Sequence, residues 1–511
     1  MSPVRPVNPV RGQGGASASR INTDVLLRAL ERAALVRSVR GELPVTVAGI
    51  TDDSRTVVTG GLFVAVRGSA RDGHDFLGAV DQAGASLAIV EDSAATDLPS
   101  IVVHDARRAA AVAAAAFYGE PAQSLTLVAV TGTNGKTTTA GMLRHLLDAP
   151  ESRAASIGTL GVLVGSAGAD LPGGGGLTTP GPIELQRLLR ALVGAGVTRV
   201  AMEVSSHSLH QHRVEGLEFA AGVFTNLTRD HLDYHGTMEQ YFAAKALLLQ
   251  SIAADGCAVV NADDEAWRAL HATPRALRFG YTSAPADVRA EDVRFEPRGS
   301  RWRLVTPSGA SAVHLPLIGD FNISNALGAA AAAYALGMTH EQISARLETL
   351  PQVPGRLEIL SEHPTVLRDY AHTPDALQRA LDALRPFTPG RLIVVFGAGG
   401  DRDRGKRPEM GAIAVKSADI AIATSDNPRT EDPEQILNDI AVGMSGGRYE
   451  RIVDRREAIV RAIALADPAT DVVLLAGKGH ETYQIRGTTK YPFDEHEIVR
   501  DILANPIGGA S

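Results

Sequence analysis

The sequence predicts an α/β protein of three domains, and two observations carry that reading. An apolar strand, a glycine-bearing loop and a helix follow one another directly in LTLVAVTGTNGKTTTAGMLRHLL, Leu125 to Leu147, and strands alternate with helical segments through most of the remaining chain. With 511 residues the chain has room for about three domains of ordinary size.

The N-terminal stretch MSPVRPVNPVRGQGGASASR is rich in Pro, Gly and Ser and lacks the apolar core of a secretory signal, so residues 1–20 are expected to form a disordered tail. The region 21–122 contains the short apolar strands GGLFVAV and ASLAIVE and ends in the alanine-rich helix ARRAAAVAAAAFYG, closed by Gly119 and Pro121. The region 123–354 opens with the phosphate-loop strand and continues through the strands ASIGTLGVL, RVAMEVSS, AAGVFTNL and GCAVVNAD, as a mainly parallel sheet should. Its segment SAGADLPGGGGLTTPG reads as a flexible surface insertion. PQVPG marks a break, after which 355–511 has its own strands RLIVVFGAG, ADIAIATSD and DVVLLAGKG with helices between.

The glycine-bearing loop points to a nucleoside triphosphate. Gly132 and Gly135 allow a tight turn in which backbone N–H groups and the helix N-terminus converge on phosphate oxygens, while Lys136 adds charge and Thr137 a hydroxyl suited to magnesium. The loop departs from G-x-x-x-x-G-K-[ST], which asks for glycine where Val130 stands. A bare GK[ST] occurs by chance in long chains; the strand before it and the helix after it supply the context that the motif requires.

Composition narrows the classes further. Lysine supplies only six of the 50 basic residues, which marks the lysines that persist inside motifs, Lys136, Lys245, Lys406 and Lys478, as positions where an amine is chemically needed. Net charge is −8 with both signs interspersed, so no basic stripe suggests nucleic acid. The single cysteine, Cys257, excludes an intrachain disulfide and a multi-cysteine metal site. No apolar run reaches membrane-spanning length, so no membrane insertion is expected, and a cytoplasmic setting fits.

Glu203, at the end of RVAMEVSS, stands where an open α/β sheet presents groups to a ligand crevice and could hold magnesium; a capping or solvated glutamate fits the position equally well. The segments SSHSLHQHRV and NLTRDHLDYHGTMEQYFAAKALL bring five histidines and several acids close in sequence, but the H-E-x-x-H spacing of a zinc site is absent. Hard oxygen ligands beside a triphosphate loop favour magnesium.

TGTNGKTT, EVSSH, NLTRDHLDYHGTMEQY, FNISNALGAA, PGRLE, DYAHTPDAL, FGAGGDRDRGKRP, SDNPRTEDP and AGKGHE, in this order from about Ile50 to Glu497, resemble the Mur ligases. The resemblance implies an N-terminal UDP-binding α/β domain, a central ATP-binding domain with a parallel sheet like that of P-loop ATPases, and a Rossmann-like C-terminal domain for an incoming amino acid. It also implies the reaction: ATP phosphorylates a carboxylate of UDP-N-acetylmuramoyl-L-Ala-D-Glu, the amine of meso-diaminopimelate attacks the acyl phosphate, and an amide and phosphate result, in peptidoglycan precursor synthesis. A monomer is expected.

By the same resemblance Lys136, Glu203, His231 and Lys245 are catalytic; Thr137 and Glu203 serve one magnesium ion, His231 and Lys245 another, with Lys245 carbamylated to N6-carboxylysine. ATP is expected on Gly132, Thr133, Asn134, Gly135, Lys136, Thr137 and Thr138, with Asn322, Asn325, Arg356 and Asp369. The UDP-muramoyl dipeptide is expected on Asp52, Ser54, Gly68, Ser69, Ala70, Arg71, Thr178, Thr179, Ser205, Gln211 and Arg213. Diaminopimelate is assigned to Arg402, Asp426, Asn427, Pro428, Arg429, Gly477 and Glu481. Arg429 suits the far carboxylate, which lysine lacks, and Asp426 and Asn427 suit the amine beside it. Read without the family, DNPR is also an N-P turn with a solvated arginine.

Two departures stand out. Ala398 replaces a cysteine common in the FGxGG segment of relatives, and Arg402 occupies the last glycine position of a G-x-G-x-x-G fingerprint, so NAD is not expected there. The rival readings are the same ligase adding L-lysine or another diamine, a folylpolyglutamate-type ligase without DNPR, and a non-catalytic nucleotide-binding module.

Overall fold

The computed structural model describes residues 20–68, 71–174, 176–270, 275–282 and 285–504. The tail expected at 1–20 therefore lies outside the described residues up to position 19. The chain forms two compact units: one of 1–125 with 180–196 and 207–217, the other of 126–179, 197–206 and 218–511.

In the first unit a five-stranded sheet runs in the order Val36–Arg40, Ser100–Val103, Leu87–Val90, Leu62–Val64, Ile50–Thr51, parallel except at the Val36–Arg40 edge. The expected strands GGLFVAV and ASLAIVE are its buried centre. Helix Ala106–Phe117 starts at Asp105, whose carboxylate accepts from the N–H groups of Arg107 and Arg108. Its alanines are small enough to be buried on almost every side, against Leu26, Leu30, Ile89 and Ile101, and Ile183 of helix Pro182–Gly194 joins the same core.

Among its described residues the second unit contains two large sheets and a two-stranded hairpin, Tyr483–Arg486 with Thr489–Pro492. The larger has eleven strands, in the order Ala169–Leu171, Gly161–Val164, Arg153–Gly158, Val197–Glu203, Thr126–Thr131, Phe219–Phe224, Ile252–Asn261, Ala276–Gly280, Val288–Glu296, Gly299–Thr306, Gly309–Leu315. Strands from Arg153–Gly158 to Val288–Glu296 are parallel, and antiparallel hairpins extend both edges. The segment ASIGTLGVL, expected as one strand, is two: the chain reverses at Thr159–Leu160 and Gly161 adopts φ +85°, which glycine tolerates and a β-branched residue does not. The glycine-rich insertion adds the edge strand Ala169–Leu171.

Register places the chemistry. Glu203 pairs with Val130 and Phe224 with Thr131, so the ends of three adjacent parallel strands open beside the phosphate loop, the place where such sheets present ligands. Helix Asp320–Ala335, almost wholly buried, packs on the loop helix Lys136–Leu147 over one face of the sheet. The smaller sheet, Glu358–Glu362, Thr365–Asp369, Val472–Ala476, Leu392–Phe396, Ile420–Ala423, Tyr449–Arg451, is parallel apart from its first strand and carries helices on both faces, as a Rossmann-like domain does.

Candidate active site

The loop Gly132–Thr138 is held by the neighbouring strand end. Thr133 N–H donates to the Asn226 carbonyl (2.8 Å), Asn134 N–H to Asn226 Oδ1 (2.8 Å), and Thr225 Oγ1 to the Asn134 carbonyl (2.7 Å). Gly132 (φ +146°) and Gly135 (φ +83°) have no room for a side chain: a Cβ would meet Thr225 Oγ1 at the first and Asn325 Oδ1 at the second. Asn325 and Asn322 are buried on helix Asp320–Ala335, joined by Asn325 Nδ2 donating to Asn322 Oδ1 (3.2 Å); Asn325 stands against the loop, and Asn322 Nδ2 donates to the Ile318 carbonyl (2.8 Å). Thr138 is buried on the loop helix.

Two amines converge on one carbonyl. Lys136 Nζ donates to the carbonyls of Gly132 (3.0 Å) and Thr133 (2.8 Å), and Lys245 Nζ, from helix Met238–Ala246, donates to that of Gly132 (2.7 Å). Lys245 is 1 % exposed, and burial pushes its pKa far below the usual lysine value, helped by the Lys136 charge and opposed by Asp230. Burial also lowers Lys136, against Glu203 and Asp230. His231 sits at a left-handed position (φ +54°) with Nε2 3.4 Å from Asp230; burial keeps its imidazole on the neutral side.

Glu203 is buried, its carboxylate accepting from Thr159 N–H (2.8 Å) and Thr159 Oγ1 (3.1 Å). Thr137 lines the same small cavity as Glu203, and its hydroxyl accepts from Arg356 Nη2 (3.1 Å). Arg356 also lies over the Tyr370 ring (4.7 Å) and favours the charged form of Asp369, whose pKa burial raises. Asp369 in turn accepts from Leu357 N–H (2.7 Å).

The acid–amide–guanidinium set forms a second cluster in the same unit. Asp426 and Asn427 are buried; Asn427 Nδ2 donates to Glu481 Oε2 (2.8 Å), and Arg429, at φ +52°, donates through Nη1 to the Gly400 carbonyl (2.7 Å). The hairpin Tyr483–Arg486/Thr489–Pro492 backs this turn: Arg429 N–H bonds the Ile485 carbonyl and Gly487 N–H the Arg429 carbonyl. Gly400 N–H donates to the Asn427 carbonyl, and a Cβ on Gly400 would strike the Pro428 carbonyl. Gly477 lies with Asp426 Oδ2 3.2 Å from where its Cβ would be. Arg402 is exposed beside Gly399, whose other neighbour is Arg429.

The positions expected to hold the UDP-muramoyl dipeptide fall in both units. Thr178, Thr179 and Ser205 belong to the second, where Thr179 Oγ1 donates to the Glu203 carbonyl (2.9 Å) and accepts from Ser205 N–H (3.1 Å), bracing the strand end that carries the glutamate. Thr178 Oγ1 accepts from Thr159 Oγ1 (3.4 Å). Asp52, Ser54, Gly68, Arg71, Gln211 and Arg213 belong to the first. There Gln211 Oε1 accepts from Arg213 Nη2 (2.7 Å), and lost hydration raises the Asp52 pKa while the Arg213 charge opposes the rise. Gly68 N–H donates to the Arg71 carbonyl (2.8 Å); the expected positions Ser69 and Ala70 lie outside the described residues.

Reading by motif missed three partners. Thr159, which holds both Glu203 oxygens, sits in the unforeseen hairpin. Asp230, adjacent to His231, acts on Lys136, Lys245 and Lys406 at once. Lys406 donates to the His372 carbonyl (2.8 Å), and its charge is favoured by Asp426 as well as Asp230, so its ammonium is favoured by acids from both clusters. The rarity of lysine was the only sequence signal for it.

A phosphate loop with two buried amines, and a buried acid–amide cluster in the same unit, are what an ATP-dependent ligase requires. Residues 46–130 match the Mur ligase family catalytic domain, 130–333 the Mur ligase middle domain, and 355–479 the glutamate ligase domain of Mur ligases. The chain belongs to the Mur ligase family. It is 46% identical over 471 residues to a Gloeobacter violaceus protein named UDP-N-acetylmuramoyl-L-alanyl-D-glutamate--2,6-diaminopimelate ligase, covering 90% of this chain and 94% of that one. A Geobacillus kaustophilus protein of the same name is 44% identical over 467 residues, with 89% and 94% covered. A solved structure of a ligase of that name superposes with a TM-score of 0.64 at 35% identity, covering 92% of this chain and 97% of the other.

Proposed function

We infer that this chain joins meso-2,6-diaminopimelate to UDP-N-acetylmuramoyl-L-alanyl-D-glutamate with hydrolysis of ATP to ADP and phosphate, a cytoplasmic step of peptidoglycan precursor synthesis. The observation that carries it is that the phosphate loop with its two buried amines and the buried Asp426–Asn427–Glu481 cluster belong to one unit, which supports phosphorylation and amine attack in the same part of the molecule.

The loop N–H groups and Lys136 cradle the phosphates, and Lys136 leaves the Gly132 and Thr133 carbonyls to do so. Arg356, already at Thr137, adds a second cation near the transferring group. Arg429 takes the far carboxylate of diaminopimelate, and Asp426, Asn427 and Glu481 surround its far amine. Glu203 and the Thr137 hydroxyl are hard oxygen donors on one cavity and fit magnesium, which when bound neutralises phosphate charge. His231 would fit a second ion once Lys245 is a carbamate: the neutral amine attacks carbon dioxide, the N–C bond forms as one C=O π bond opens onto oxygen, the surplus nitrogen proton passes to solvent, and a neutral amine becomes an anionic oxygen ligand.

Phosphate release with ATP and UDP-N-acetylmuramoyl-L-Ala-D-Glu tests the reading. Release with meso-diaminopimelate and not with L-lysine is expected. Release with lysine alone reassigns Arg429, and release with neither overturns the acceptor assignment.

A further inference from the structure

Lys478 is wholly buried among the residues assigned to diaminopimelate, yet no part of the reaction uses it. Its ammonium donates to the Tyr483 carbonyl (2.7 Å) and Asn427 Oδ1 (3.1 Å), and lies 3.5 Å from both Asp426 Oδ1 and Glu481 Oε2. Burial alone would push the Asp426 carboxyl up; Lys478 is the largest opposing influence and, with Arg455 and His372, holds it below its ordinary value. Arg455 itself is paired with Glu495, both 0 % exposed, so that pair brings no net charge.

Two consequences follow from this geometry. Asn427 Oδ1 is occupied by Lys478 Nζ and Ile485 N–H (2.9 Å), so its amide is locked with the NH2 toward Glu481. Among the side chains assigned to the far end of diaminopimelate together with Lys478, the charges close to zero, Asp426 and Glu481 against Lys478 and Arg429, with Lys406 acting on Asp426 from outside this set. The far end of diaminopimelate, one carboxylate and one ammonium, is likewise neutral, whereas lysine ends in an ammonium alone. A buried site of matching net charge admits the first and leaves the second with an uncompensated charge and an unanswered Arg429.

We propose that Lys478 is a positioning residue that sets amino-acid selectivity, fixing Asn427 and Glu481 and cancelling one acid so that a zwitterionic side-chain end is preferred over a cationic one. The proposal rests on the reading that this cluster holds diaminopimelate. Removing the charge leaves the cluster at −1, which favours lysine.

The full-length Lys478→Met protein is compared with wild type in phosphate release, varying meso-diaminopimelate, L-lysine and ATP in turn. The expected result is a KM for meso-diaminopimelate raised about tenfold or more, an ATP KM little changed, and a preference for meso-diaminopimelate over lysine that falls about tenfold, the scale of one hydrogen-bonded charge. Equal rises in both KM values, or an unchanged preference, would overturn it. Should the variant not fold, Lys478→Arg, which keeps the charge, is expected to raise the KM for diaminopimelate while still preferring it; loss of preference there would equally refute the charge account. Wild type that rejects meso-diaminopimelate marks failure of the underlying reading instead, before any variant is considered.

Discussion

Lys136 and Lys245 place two amines on the Gly132 carbonyl, and two buried ammonium ions cannot share one acceptor without large electrostatic cost. Burial lowers the pKa of both lysines, and the Lys136 charge presses Lys245 further down, which favours the neutral amine that reacts with carbon dioxide. Arginine could not serve there, because its guanidinium does not shed its proton. Lys245→Ala is expected to lose nearly all activity and to regain part of it with formate or acetate, which supply the missing carboxylate; phosphate release with and without the additive checks this. Full activity of the variant without any additive would remove the carbamate from the mechanism.

Among the elements, the loop Gly397–Asp401 depends on charges that flank it. Arg407, 0 % exposed on helix Lys406–Ser417, pairs with Glu431 (2.9 Å) and Asp439 (2.8 Å), and Glu431 also accepts from Asp401 N–H (2.6 Å). The Arg407 hydrogen bond and this N–H hold the Glu431 carboxyl down at about 2. A depressed folded-state pKa stabilises the fold above the unfolded value of 4.5 and loses that contribution as pH falls toward about 2. Glu431→Gln is therefore expected to lower thermal stability at neutral pH and to flatten its decline between pH 4.5 and about 2, as read by melting curves across that range. Much of this level was legible in the sequence. The phosphate-loop strand, its helix and the buried strands of the second sheet follow from apolar runs bounded by turn residues. The hairpin at Thr159 did not, because a run of small and apolar residues gives one continuous strand signal and only the φ of Gly161 breaks it. The contacts of Arg356 with Thr137 and of Lys478 with Asp426 and Asn427 were equally hidden, since those partners lie far along the chain and no spacing rule connects them.

For the molecule as a whole, nucleotide binding and folding are linked. A ligand that binds only the folded state stabilises it by about 2.7 kcal/mol at a concentration about 100 times its Kd. ADP is expected to raise the melting temperature of the wild-type chain, and Lys136→Ala to abolish most of that rise while leaving the ligand-free melting temperature within a few degrees; a differential scanning measurement reads both. A full ADP response in the variant would separate Lys136 from the phosphates.

The chain passes between its two units at residues 125/126, 179/180, 196/197, 206/207 and 217/218. Helix Pro182–Gly194 packs on helix Ala106–Phe117 and supplies Ile183 to the first unit's core, yet it is translated only after the phosphate-loop strand of the other unit. On the ribosome the alanine face of Ala106–Phe117 therefore emerges before the helix that covers it, and a fragment ending at Leu125 is expected to carry that face uncovered into solution.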